Sequence, residues 1–156
     1  MKLPVIRPVD MDNLQELLPL LELQQQAYRI EAELVGFEEI PPLLDSPQEL
    51  RESGESFFGY YEDEKLLGAI SCKQSARELT ICRMMVHPDR FRQGIAGALL
   101  RHVEAIAIPG CAIAVATGTT NTPAVALYEK HGFMASRMQL IAPGITMTHF
   151  IKLAEP

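Results

Sequence analysis

The residues with the clearest chemical potential lie in the stretch RMMVHPDRFRQGIAGALL, residues 83–100. Leu79, Ile81 and Val86 are apolar and β-compatible. Pro88 lacks the N–H that a ladder needs, and Ile95, Leu99, Val103 and Ile106 then recur at helical spacing. The stretch reads as strand, loop and helix, with Arg92, Gln93 and Gly94 at the junction. Gly94 allows a ligand close to the backbone, small Ala96 and Gly97 keep the first helical turn open, and the free N–H groups of that turn attract phosphates. No G-K-[ST] follows the glycine and no acid is placed for Mg²⁺, which argues against a nucleotide phosphate loop. A second group, Tyr28, Glu31, Glu33, Glu38 and Glu39, falls in or just after a predicted helix and could orient a cationic amine.

The elements that must position these groups follow from pattern. Residues 5–7 form a first strand. Asp12 and Gln15 read as a helix start with Leu14, Leu17 and Leu18 on one face, and Pro19 interrupts it. A second helix begins at Pro19, carries Leu20, Leu23, Ala27, Ile30 and Leu34 on one face, and stops at Gly36. Ser46, Pro47 and Glu49 make a capping box for a short helix that Gly54 ends. Residues 57–62, 65–74 and 78–86 are predicted antiparallel strands, and 95–107 a helix. The nearly unbroken apolar run 111–117 reads as a parallel strand covered on both faces. Thr122 is the expected cap of a helix with Pro123 at its first position and Gly132 as its stop. Strands from Phe133 onward and over 145–153 flank the turn at Pro143 and Gly144.

At 156 residues the expectation is one domain over 1–156 with a core that needs no disulfide or metal. Cys72, Cys82 and Cys111 are odd in number and set among apolar residues, which predicts reduced core thiols. The start lacks a signal-like apolar run and no stretch is long enough to span a bilayer, so a cytoplasmic protein is expected. The net charge of −6 is uneven: residues 1–66 hold 15 acids and 5 bases, the remainder 5 acids and 9 bases. The front part could draw cations and the back part anions, although solvated helix faces explain the acidic part equally well.

The run VHPDRFRQGIAGALL resembles motif A of the GNAT superfamily of N-acetyltransferases. NTPAVALYEKHGF, residues 121–133, resembles the same family's N-x-x-A-x-x-L-Y-x-x-x-G-F segment. The resemblance implies an α/β (α+β) fold: a mixed, mostly antiparallel sheet of six to seven strands, helices on both faces, and a splayed parallel pair. It implies acetyl-CoA as co-substrate in the gap between that pair, with its diphosphate on the amides of Arg92, Gln93, Gly94, Ile95, Ala96 and Gly97. Its pantetheine would pair with the edge of Met84, Met85 and Val86, where a main-chain N–H polarises the thioester carbonyl. Asn121 is implied as a cofactor contact and Tyr128 as the acid that protonates the leaving thiolate. No metal is expected.

Two departures stand out. Phe91 replaces the arginine or glutamine usual three residues before Gly94, and the family's two glutamate positions hold Ala116 and Thr80. Glu78 shares a face with Thr80 by the period of two, so it is the candidate base or water-ordering group, with the front-helix glutamates as competitors. The implied activity is acetyl transfer from acetyl-CoA to a primary amine by direct attack in a ternary complex. A small-molecule amine such as a polyamine, amino acid or aminoglycoside is favoured over a protein N-terminus or lysine, and a non-catalytic acyl-CoA-binding module is the rival. Neither nucleic acid nor membrane is an expected partner, and a homodimer is an open option.

Overall fold

The computed structural model describes residues 3–36 and 45–155, so Glu38 and Glu39 lie outside the described residues. Strands β1 (Val5–Pro8), β2 (Ser56–Glu62), β3 (Lys65–Gln74), β4 (Glu78–Val86), β5 (Ala112–Gly118), β6 (Met134–Ala142) and β7 (Ile145–Leu153) form one sheet in the order β1-β2-β3-β4-β5-β7-β6. Every neighbouring pair is antiparallel except β4 and β5. The helices among the described residues are α1 (Leu14–Val35), α2 (Pro47–Arg51), α3 (Ile95–Ile106) and α4 (Thr122–Lys130), with a 3-10 turn at Pro88–Arg90. No helix among them is long and apolar enough to cross a membrane.

Two apolar clusters sandwich the sheet. On one face Leu79, Ile81, Ile113, Val115 and Phe150 pack with Leu99, Leu100 and Val103 of α3 and Tyr128 of α4. On the other, Phe57, Ala69 and Met85 pack with Leu17, Leu20, Leu23 and Tyr28 of α1. Strand β4 supplies both clusters because it carries a bulge. Its register against β3 steps from Ser71↔Arg83 to Cys72↔Ile81, which leaves Cys82 without a partner. One extra residue inverts the alternation. Leu79 and Ile81 face α3, whereas beyond the bulge Met85 faces α1.

The bulge also marks where the sheet opens. Strands β4 and β5 pair only at Glu78↔Ala112, Leu79↔Ile113 and Thr80↔Ala114, then separate, while β3 and β7 continue to hold the outer edge of each. The V-shaped gap implied by the sequence thus begins at residue 81.

Three local expectations are corrected. The two front helices are one: α1 runs through Pro19 from an Asn13 cap, whose side chain accepts from the Gln15 N–H, to Gly36 in the left-handed region at φ 77°. Pro19 is exposed, so water can satisfy the carbonyl that its missing N–H abandons, and the buried Leu17, Leu20 and Leu23 on both sides of it hold the helix together. Helix α4 is capped by Asn121 rather than Thr122, its side-chain oxygen accepting from the Ala124 N–H. Of the three free thiols, Cys72 and Cys111 are buried as expected, but Cys82 is exposed because the bulge turns it out of the packing.

Candidate active site

A single cavity of about 1080 Å³ fills the gap between β4 and β5. One end is built by the start of α3. Gly94 occupies the left-handed region at φ 82°, and a Cβ there would meet no protein atom, so the space beside it is open. No side chain caps α3, which leaves the first-turn amides available. Arg92, Gly94, Ile95, Ala96 and Gly97 line this end together with Arg101 and Lys130. Uncapped amides backed by cations suit a diphosphate, so the residues present fit a coenzyme A moiety. Gln93 is exposed and is not among the lining residues.

The middle of the cavity is the free edge of β4, where Met84, Met85 and Val86 all contribute. The Met84 N–H donates to the Tyr28 hydroxyl at 3.1 Å, so a phenol from α1 already sits on one of the strand donors that the sequence assigned to the thioester. Burial, then the charge of Glu31, pushes the Tyr28 hydroxyl well above the ordinary tyrosine range.

Glu31 is the carboxylate at the centre. Its Oε1 accepts from Thr117 Oγ1 at 3.2 Å and from Asn121 Nδ2 at 3.2 Å, so α1 is tied to β5 and to the cap of α4. Close packing permits this reach: a Cβ on Gly118 would overlap the Val35 side chain, so the last turn of α1 seats on β5 only because residue 118 is glycine. Burial raises the Glu31 carboxyl above its usual range, and the two hydrogen bonds oppose that rise.

Tyr128 is 3% exposed, packs edge-on to Phe133, and lines the same cavity. Desolvation and the Glu31 charge raise its hydroxyl above the ordinary range, so it stays protonated at any working pH. Asn121 lines the cavity too, with its side chain occupied by Glu31, Thr117 and the α4 cap.

The structure does not bring Glu78 to this group. The expected face-sharing with Thr80 is present, since Thr80 Oγ1 donates to Glu78 Oε2 at 2.9 Å. Both residues, however, belong to the three-residue segment where β4 and β5 are still paired, the closed end of the gap, and neither lines the cavity. The cavity acid is Glu31, one of several front-helix glutamates singled out by sequence; the distinguishing signal, a partnership with Thr117 and Asn121, spans 86 and 90 residues of chain. His149 was missed. It lines the cavity from β7, pairs through Nε2 with Gln139 Oε1 at 2.9 Å, and is held below the usual histidine range by burial and by Arg137. Cys82 also lines the cavity, but its thiol is pushed up to about 11 by desolvation and by Glu55, so it is no thiolate nucleophile.

The sequence model of the acetyltransferase (GNAT) family matches residues 17–133. The UPF0157 protein YqkA of Bacillus subtilis is 40% identical over 131 residues, which make up 84% of this chain but 38% of that protein; the chain spans well under half the length of this relative. Among solved structures, the ribosomal-protein-S18-alanine N-acetyltransferase from Escherichia coli aligns with a TM-score of 0.76 over 99% of this chain and 96% of its own, at 17% identity. The PaiA N-acetyltransferase from Thermoplasma acidophilum in complex with coenzyme A aligns with a TM-score of 0.73 over 95% and 98%, at 16% identity. At these identities the likeness is one of fold. The family match is one of sequence, and it runs from within α1 to the residue that follows the α4 stop: the chain belongs to the acetyltransferase (GNAT) family.

Proposed function

We propose that residues 1–156 act as one acyltransferase domain that moves the acetyl group of acetyl-CoA to a primary amine by direct attack in a ternary complex. The carrying observation is that one cavity joins an uncapped, cation-lined helix start to a buried carboxylate and a protonated phenol. Acetyl-CoA supplies the activated thioester. The amides from Arg92 to Gly97 and the charges of Arg101 and Lys130 would hold its diphosphate.

A primary amine of pKa about 10.4 arrives as an ammonium and must lose a proton before it can attack. Glu31 is suited to attract that ammonium and to accept its proton, since its charge is costly where it stands and neutralisation relieves the cost. Tyr128 is suited to protonate the departing thiolate. The resulting carbon–nitrogen bond replaces the carbon–sulfur bond; of the two protons that the ammonium loses, the first goes to Glu31 and from there to solvent, and the second, released as the amide forms, replaces the Tyr128 proton that has gone to sulfur. Three free cysteines suit a reducing, cytoplasmic setting.

The test is thiol release from acetyl-CoA in the presence of an amine panel, with CoA binding followed by titration calorimetry. Thiol release that depends on an amine supports transfer. Tight CoA binding without turnover would leave a non-catalytic acyl-CoA-binding module.

A further inference from the structure

The Met84 N–H on the free edge of β4 is already engaged, because it donates to the Tyr28 hydroxyl at 3.1 Å. A thioester carbonyl cannot take that hydrogen without displacing the phenol, and the phenol is firmly placed. Tyr28 is buried in one cluster with Leu20, Leu23, Phe57 and Met85, on a helix that Glu31 ties to β5. A hydroxyl is bifunctional: while its oxygen accepts from Met84, its hydrogen is left to donate. Accepting that N–H also polarises the O–H and makes it a stronger donor. Burial and the charge of Glu31 keep the hydroxyl protonated at any working pH, so the hydrogen is always there to give.

The placement suits a reacting thioester. Tyr28 and Glu31 stand three residues apart on one face of α1, and the fields of Glu31 and Tyr128 both reach the Tyr28 hydroxyl. All three line the cavity. A thioester under attack needs a donor at its oxygen, an acid at its sulfur and a base for the incoming nitrogen. Tyr128 and Glu31 suit the second and third of these tasks, and Tyr28 suits the first.

We propose that Tyr28 is a further catalytic residue: its hydroxyl hydrogen donates to the thioester oxygen, with the Met84 N–H supporting it from behind rather than touching the oxygen itself. This rests on the reading of the cavity as an acetyltransferase site. As the amine lone pair forms the carbon–nitrogen bond, the carbonyl π pair moves onto oxygen, and the Tyr28 O–H holds the charge that develops there. When that pair returns, the carbon–sulfur bond breaks and the thiolate leaves toward Tyr128. Tyr28 keeps its own proton throughout.

The experiment is isotope-edited infrared difference spectroscopy of acetyl-CoA labelled with ¹³C at the thioester carbonyl, alongside thiol-release kinetics. Bound to the wild type, the carbonyl stretch is expected below its frequency in buffer. Tyr28→Phe should abolish that shift and lower kcat by roughly 10²- to 10³-fold, the range for one lost oxyanion donor, with acetyl-CoA affinity little changed. Fluorotyrosine incorporated at position 28 keeps the hydroxyl and makes it more acidic, so it should enlarge the shift; it also serves as the test if the phenylalanine variant does not fold. An unshifted stretch in the wild type, a shift that survives Tyr28→Phe or ignores the fluorine, or a kcat that Tyr28→Phe leaves level or raises overturns the proposal. Those results would make the phenol a tie between α1 and β4. If the shift depends on Tyr28 but no amine releases thiol, the transferase reading fails and the contact with the thioester oxygen stands. If amines release thiol while the shift is indifferent to Tyr28, the transferase reading stands and the Tyr28 assignment fails.

Discussion

Replacing Glu31 with glutamine separates its chemical role from its structural one. In the wild type a single oxygen, Oε1, takes both hydrogen bonds, from Thr117 and Asn121, each at 3.2 Å. Glutamine retains an oxygen in that position, so the tie from α1 to β5 and the Asn121 cap survive and only the charge is lost. Burial sets the direction of the stability effect. Because the carboxyl titrates higher in the folded chain than in the unfolded one, the folded state holds a proton that the unfolded state has already released. Stability accordingly falls as pH rises from the ordinary glutamate value, about 4.3, through the raised one, and above that window the ionised side chain is a net cost. Glu31→Gln should therefore match or exceed the wild type in urea unfolding at neutral pH. Its kcat/KM for the best amine should fall by about 10²- to 10⁴-fold, the range for a lost general base. The acid limb of the wild-type pH profile should disappear while acetyl-CoA affinity stays level. Full kcat/KM with the acid limb intact would refute the assignment, and so would an activity loss matched by an equal loss of folded protein.

Tyr128→Phe should keep the packing against Phe133 and Phe150 and preserve acetyl-CoA affinity, yet lower kcat by roughly 10²- to 10⁴-fold; a wild-type kcat would return the side chain to the core. Ala96→Glu puts an anion on the first turn of α3 and should abolish CoA binding by calorimetry with the thermal midpoint little changed, so unaltered affinity would remove the diphosphate from this loop. Arg83→Met strands Glu55 and Asp45, whose side chains are 9% and 16% exposed, and should cost about 3–5 kcal/mol in urea unfolding at neutral pH. Arg83→Lys, which keeps the charge, should recover part of that loss; no recovery would mean packing, not charge, is at stake. Gly118→Val should drive the last turn of α1 from β5 and lower kcat/KM, and an unchanged rate would dissociate the α1 position from Glu31 function.

Local rules carried much of the fold. Ser46 and Glu49 form the predicted capping box, Gly36 ends α1, and β3 and β4 begin and end where alternation placed them. What escaped was decided by contacts distant in sequence. Pro19 reads as a break because its local cost is visible, while the burial of Leu17, Leu20 and Leu23 that overrides it is tertiary. Glu78 reads as a site residue because the period of two is local, and its exclusion depends on where a neighbouring strand stops pairing. Glu31 could be shortlisted but not chosen, since nothing near it in sequence announces Thr117, Asn121 or the glycine that lets α1 approach.

The bulge at Cys82 gives this strand an unusual arithmetic of length. Every residue from Arg83 to Val86 keeps its face because the pairing with β3 sets Cys82 aside, so position 82 is one that the alternation does not count. Deleting the residue would leave Ile81 and Arg83 adjacent on opposite faces, as a regular strand requires, so Arg83 would still face Glu55 and Met85 the α1 cluster, and only the bend that the bulge gives the strand would be lost. The strand can therefore lose one residue at that point without inverting its faces, whereas straightening it with Cys82 retained would send Met85 to the α3 side.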